Sequence, residues 1–144
     1  MTFVVDASIV VAWCFADETS AMADIVLGRL EHERAIAPAH WPLEVANALR
    51  TAERRRRLEP SDLPRLRALL VNLPVDVAPV ELSTTLGGTL EAARTHDLTA
   101  YDAAYLDLAS VRGLPIATID DRLRDACVRA GVELVVDDRQ DPAR

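Results

Sequence analysis

Lysine is missing from this sequence. All 16 basic residues are arginine, set against 23 acidic ones, for a net charge of −7. The absence excludes a Schiff-base lysine and the lysine of a phosphate-binding loop. It also argues against a receiver-type domain, whose acidic pocket carries a lysine. A basic excess is missing too, which argues against non-specific nucleic-acid binding. It leaves a nuclease open, because bound cations offset a local acidic cluster. Long apolar runs are missing: Asp6 and Asp17 bracket the longest early one, short of a membrane span. The N-terminus shows no basic leader followed by an apolar stretch and cleavage site, so no signal peptide is expected. Cysteine is scarce, with only Cys14 and Cys127. They lie far apart among apolar neighbours, which points to reduced, buried thiols in a cytoplasmic protein ahead of a disulfide. Internal repeats and low-complexity linkers are absent.

The 144 residues, half of them hydrophobic, suit one globular domain with a substantial core, over residues 1–136. The remainder, residues 137–144, reads as a polar tail. Short apolar stretches at Val4-Val5, Ala35-Ile36-Ala37, Val75-Asp76-Val77, Ile116-Ala117-Thr118 and Leu134-Val135-Val136 read as strands. Several are apolar throughout, as in a parallel sheet covered on both faces. Helical spacing of apolar residues fills the intervals, over about 20–34, 41–57, 61–73, 82–95, 100–112 and 122–130, the last stopping at Gly131. The alternation predicts an α/β domain with a small, largely parallel sheet.

A carboxylate interrupts the first apolar stretch, "TFVVDASIVVAWCF". Burying Asp6 without a partner is costly. Three other acids share its setting. Glu44 lies in "HWPLEVANAL", with Pro42 at an expected first helical position. Asp102 lies in "DLTAYDAAYLDLA", on a helix capped by Thr99. Asp120 lies in "PIATIDDRL", just past a strand. Singly, each has a structural reading: an acid in a first helical turn suits the dipole and caps free amides. Jointly they point elsewhere. Ligands of an open parallel sheet bind at the carboxyl ends of its strands. Four carboxylates meeting there repel one another unless a cation joins them. Oxygen ligands alone select a hard ion, Mg²⁺ or Mn²⁺. The expected partner of Asp6 is therefore a metal. Ser8 and Thr118, two residues from Asp6 and Asp120, are expected to support the carboxylates. So is Asn47, on the same helix face as Glu44 and Thr51. For Ser8 the plainer reading is an N-cap.

The segments "VVDASIVVAWCFADE", "PLEVANAL", "LTAYDAAYLDLA" and "LPIATIDDRL", in that order and spacing, resemble PIN-domain ribonucleases, in particular the VapC toxins of bacterial toxin–antitoxin pairs. The resemblance runs from about Phe3 to Val136. It implies a three-layer α/β/α sandwich with a small central, mostly parallel sheet. It also implies Mg²⁺- or Mn²⁺-dependent cleavage of RNA, a homodimer, and a cognate antitoxin that blocks the site. By position Asp6, Glu44, Asp102 and Asp120 are the acidic quartet, with Asp6, Asp102 and Asp120 expected on the metal and Asp121 as a possible assistant.

The remaining features are weaker. "RTAERRRRL" is the sole dense basic run, with Arg54 to Arg57 at its centre. It reads first as a solvated helix end and second as a dock for an acidic partner or RNA backbone. His32, His40 and His96 lack metal-ligand spacing and read as surface or structural residues. Trp13, Trp41, Tyr101 and Tyr105 read as core or dimer contacts. Rival classes fit less well. A haloacid-dehalogenase-like enzyme wants an acid where Ser8 stands and also needs a lysine. A silent PIN-like module that binds RNA or protein has no need of an intact quartet. A domain whose four acids are only caps should lose roughly 1 kcal/mol at each on neutralisation.

Overall fold

The computed structural model describes residues 2–15 and 20–135. Within them, strands and helices alternate along the chain: β1 (Phe3–Val5), α1 (Ala7–Cys14), α2 (Ala21–Leu30), β2 (Ala35–Pro38) and α3 (Trp41–Arg54). A 3₁₀ turn at Pro60–Asp62 leads into α4 (Leu63–Val71) and β3 (Val75–Ala78). Then come α5 (Leu82–Thr84), a π-helical stretch at Thr85–Thr89, α6 (Leu90–His96), α7 (Ala100–Arg112), β4 (Ile116–Ala117) and α8 (Asp121–Ala130). The four strands pair in parallel in the order β3-β2-β1-β4. Parallel pairing needs long crossovers, and helices supply them. α1 packs with α2 and α3, while α7 packs on β1, β2 and β4. The result is a three-layer α/β/α sandwich.

The strands are short but central to the core. All of β1 and all of β2 are buried, as an apolar sequence covered on both faces requires. Tyr105, Phe3, Ile9, Leu106, Ile116 and Leu123 are the bulky side chains closed off from water around the sheet. A second, smaller cluster of Phe15, Ala52, Leu58 and Leu66 lies where the ends of α1, α3 and α4 meet.

Several expected boundaries shift for local reasons. The helix expected to Arg34 stops at Leu30, freeing Glu33 and Arg34 to lead into β2. The helix expected to Arg57 stops at Arg54 because Arg56 turns left-handed, at φ 57°. The helix expected over 82–95 is broken: Gly87 leaves helical geometry at φ −93°, ψ −105°. Gly88 follows it and presses on α7, where a Cβ would stand 2.7 Å from Asp107 Oδ1. The last expected strand is reduced to one bridge, Leu134 to Ile116; Val136 and the tail lie outside the described residues. Gly131 does close α8, at φ 71°.

Candidate active site

The sheet order fixes where a site can form. From β1 the chain moves outward through β2 to β3, then returns to place β4 on the other side of β1. The carboxyl ends of β1 and β4 flank that switch point, where such sheets open a crevice. Asp6 follows β1 and is the N-cap of α1; Asp120 follows β4 and is the N-cap of α8. Capping and convergence are thus one arrangement. The strand end aims the side chain at the crevice, and the next helix begins there.

Asp6 is 5% exposed, and its hydrogen bonds explain how it is tolerated. The Thr118 hydroxyl donates to Oδ2, and the Ser8 hydroxyl donates to the same oxygen at 2.8 Å. Each hydroxyl also accepts a backbone bond: Thr118 from Asp120 N–H at 3.0 Å, Ser8 from Ile119 N–H at 3.1 Å. The two hydroxyls therefore knit the ends of β1 and β4 together around the carboxylate. Ser8 does not cap α1, because Asp6 does so with a long 3.4 Å contact from the Ser8 amide. Burial holds the Asp6 carboxyl above its ordinary range, against the pull of Thr118 and Ser8, and the charge of Glu44 adds to the rise.

Asp102 lies in the first turn of α7, which Thr99 caps by accepting the Asp102 amide at 3.2 Å. Its carboxyl is also raised, first by burial, then by the charges of Asp120, Asp6 and Glu44; the Thr99 bond pulls the other way. Each member of the quartet thus acts on Asp102. Among the described residues, no group of three or more His, Cys, Asp or Glu side chains is arranged to hold a metal ion. The donor chemistry nonetheless fits a hard cation: all four groups are carboxylates, and their mutual charge is what an ion would offset.

Glu44, in the first turn of α3, is held by Tyr105, expected as a core or dimer contact, and by His40, expected as a surface or structural residue. The Tyr105 hydroxyl donates to Oε1 at 3.0 Å. His40 Nε2 stands 2.8 Å from the same oxygen. This is ion-pair distance, but off the line of a good N–H···O bond, since the atom makes no aligned hydrogen bond. A small turn of the ring would align the two groups without separating them. Burial, then Glu44 and Asp6, drive the Tyr105 phenol far above its usual range, so it remains a donor. The signal was available in the spacing. Tyr105 lies three residues beyond Asp102, and His40 four before Glu44, each a helical neighbour.

Other candidates lie further out. Asn47 is exposed and makes no hydrogen bond to the quartet among the described residues. Asp121 is exposed in the first turn of α8. Tyr101 is not a core residue; it is exposed and lines a cleft of about 550 Å³ with His40, Leu43, Val80, Leu108 and Val111. Arg57 sets its guanidinium 4.5 Å over the Phe15 ring, tying the basic run to the small apolar cluster. Cys14 and Cys127 are free thiols, and burial with the Asp6 charge pushes Cys127 up to about 11.

Sheet order and site together define an α/β domain with an acidic centre at the switch point of a parallel sheet. The chain belongs to the PIN-domain family, whose pattern it matches over residues 3–128. It is 35% identical over 123 residues to Ribonuclease VapC3 of Mycobacterium tuberculosis, covering 85% of each chain. It is 33% identical over 105 residues to Ribonuclease VapC12 of the same organism, covering 73% of this chain and 78% of that one.

Proposed function

We propose that the protein is a metal-dependent endoribonuclease toxin acting in the cytoplasm and restrained by a cognate antitoxin protein. One observation carries the reading: Asp6 and Asp120 leave the carboxyl ends of the adjacent strands β1 and β4, and Asp102 opens α7 near enough that, after burial, the charges of Asp120, Asp6 and Glu44 all raise its carboxyl. Carboxylates gathered at one place are costly without a cation and useful with one. Family membership and the names of the two relatives support RNA as the substrate. Asp6, Asp102 and Asp120 would hold Mg²⁺ or Mn²⁺, with Glu44 sharing the ion or positioning the attacking water. When bound, the ion supplies a lowered water pKa and stabilises phosphate charge. Ser8 and Thr118 aim the Asp6 carboxylate and favour its ionised form against the effect of burial. Tyr105 and Thr99 anchor Glu44 and the start of α7.

Calorimetric titration with Mn²⁺, free of any partner, followed by incubation with RNA with and without the ion, tests this reading. The expected result is Mn²⁺ uptake and cleavage that stops on chelation. Neither uptake nor cleavage would leave a binding module in its place. Among the described residues, no helix is long and apolar enough to cross a membrane.

The cleft beside the site supports a homodimer. Leu43, Tyr101 and Val111, which line it, are 73%, 65% and 75% exposed. Exposed apolar side chains grouped around one cleft suit contact with a second chain. Val111→Asp should therefore shift the protein from dimer to monomer in sedimentation while leaving its circular dichroism unchanged. A native protein that already sediments as a monomer would refute the dimer.

A further inference from the structure

Glu44 differs from the other acids in how it is held. Asp6 and Asp120 cap helices, whereas Glu44 Oε1 receives the Tyr105 hydroxyl at 3.0 Å and faces His40 Nε2 at 2.8 Å. Tyr105 is fully buried, and its ring meets His40 edge-on at 5.2 Å. His40 in turn lies 5.6 Å from the Tyr101 ring. A fully buried phenol has little room to swing, so it holds the carboxylate from beneath, and His40 closes one side. Tyr105 stands on α7 and Glu44 on α3, so this contact also ties the helix that carries Asp102 to the one that carries Glu44.

We propose that Tyr105 and His40 are positioning residues that commit one oxygen of Glu44 to the protein and reserve the other for the ion or the attacking water. The inference rests on the acidic-site reading above and adds residues to it. Partners of this kind, placed behind a functional carboxylate, typically govern metal affinity or activity by about 10- to 100-fold.

Tyr105→Phe is the test, because it removes the hydroxyl and keeps the ring. Mn²⁺ affinity by calorimetry and the rate of RNA cleavage at saturating substrate should each fall about tenfold, with little change in KM. In a Glu44→Gln background the same substitution should change neither, since no carboxylate remains to be placed. His40→Gln, which keeps a donor, should retain more affinity than His40→Ala. Native-like affinity and rate in Tyr105→Phe would overturn the proposal. So would an equal loss in both backgrounds, which is the mark of a packing role. If the native protein takes up no Mn²⁺, the acidic-site reading falls and this proposal with it. If it takes up Mn²⁺ and Tyr105→Phe does so equally, only this proposal falls.

Discussion

Asp102→Asn should lower Mn²⁺ affinity and RNA cleavage by about a hundredfold or more, the upper end of what losing even an indirect partner costs. The substitution is close to isosteric and leaves the backbone bond from residue 102 to Thr99 in place. Any difference therefore reports charge. Without metal, the direction of the stability change reverses. The Asp102 carboxyl is raised in the folded state by burial and by Asp120, Asp6 and Glu44. A raised carboxyl favours folding while protonated and loses that contribution as pH climbs through the folded value. The helix dipole opposes this by only about 0.3–1 kcal/mol. Metal-free Asp102→Asn should thus melt higher than the native protein at neutral pH, and the gap should close in acid. Thermal melts in chelator at several pH values check this. A mutant that melts lower throughout would mark Asp102 as a simple helix-start acid.

Thr118→Val should destabilise the protein by about 1.5–3 kcal/mol at neutral pH, the range for a hydrogen bond to a charged group. Valine keeps the shape but leaves Asp6 Oδ2 with the Ser8 hydroxyl alone and strips the Asp120 amide of its acceptor. Burial raises Asp6 and the Thr118 bond lowers it, so the variant's carboxyl must rise further. The bond stabilises the ionised form, so its contribution is present at higher pH and fades as Asp6 takes up a proton. The loss in urea midpoint should shrink in acid accordingly. Thr118→Ser, which keeps the hydroxyl, should behave like the native protein. A loss that is the same at every pH would show that the bond from the Asp120 amide, not the bond to the Asp6 carboxylate, is what matters.

Much of the fold was legible because the strands are nearly pure apolar runs and the helices carry clear spacing. Val4-Val5, Ala35 to Ala37 and Val75 to Val77 all fall within observed strands. The break at Gly87 was not legible, because the apolar spacing of Leu82, Leu86 and Leu90 continues through it. Leu134 makes only a bridge because β4 is two residues long and offers little edge to extend. At the site, the acids could be read from their place after strands and at helix starts. Ser8 and Thr118 were expected to support the carboxylates, but that both bond the same oxygen of Asp6 was not legible, because Thr118 lies 112 positions away and Ser8 sits in a capping pattern. The contacts of His40 and Tyr105 with Glu44 were missed because a histidine without metal-ligand spacing reads as surface or structural and a tyrosine on an apolar face as packing, and Tyr105 is packing as well. Tyr101, expected in the core or at a dimer contact, is exposed beside a cleft and so is not a core residue.

The strand order also governs when the acidic centre can exist. β1 lies between β2 and β4, yet β4 arrives from the far end of the chain, and the Thr118–Asp6 bond spans 112 positions. Closing so distant a contact is late and entropically costly in folding. During synthesis the first strand emerges long before the residues that complete its neighbourhood. A chain interrupted before Thr118 lacks both that hydroxyl and Asp120, so the four acids cannot come together until β4 and the start of α8 have been made.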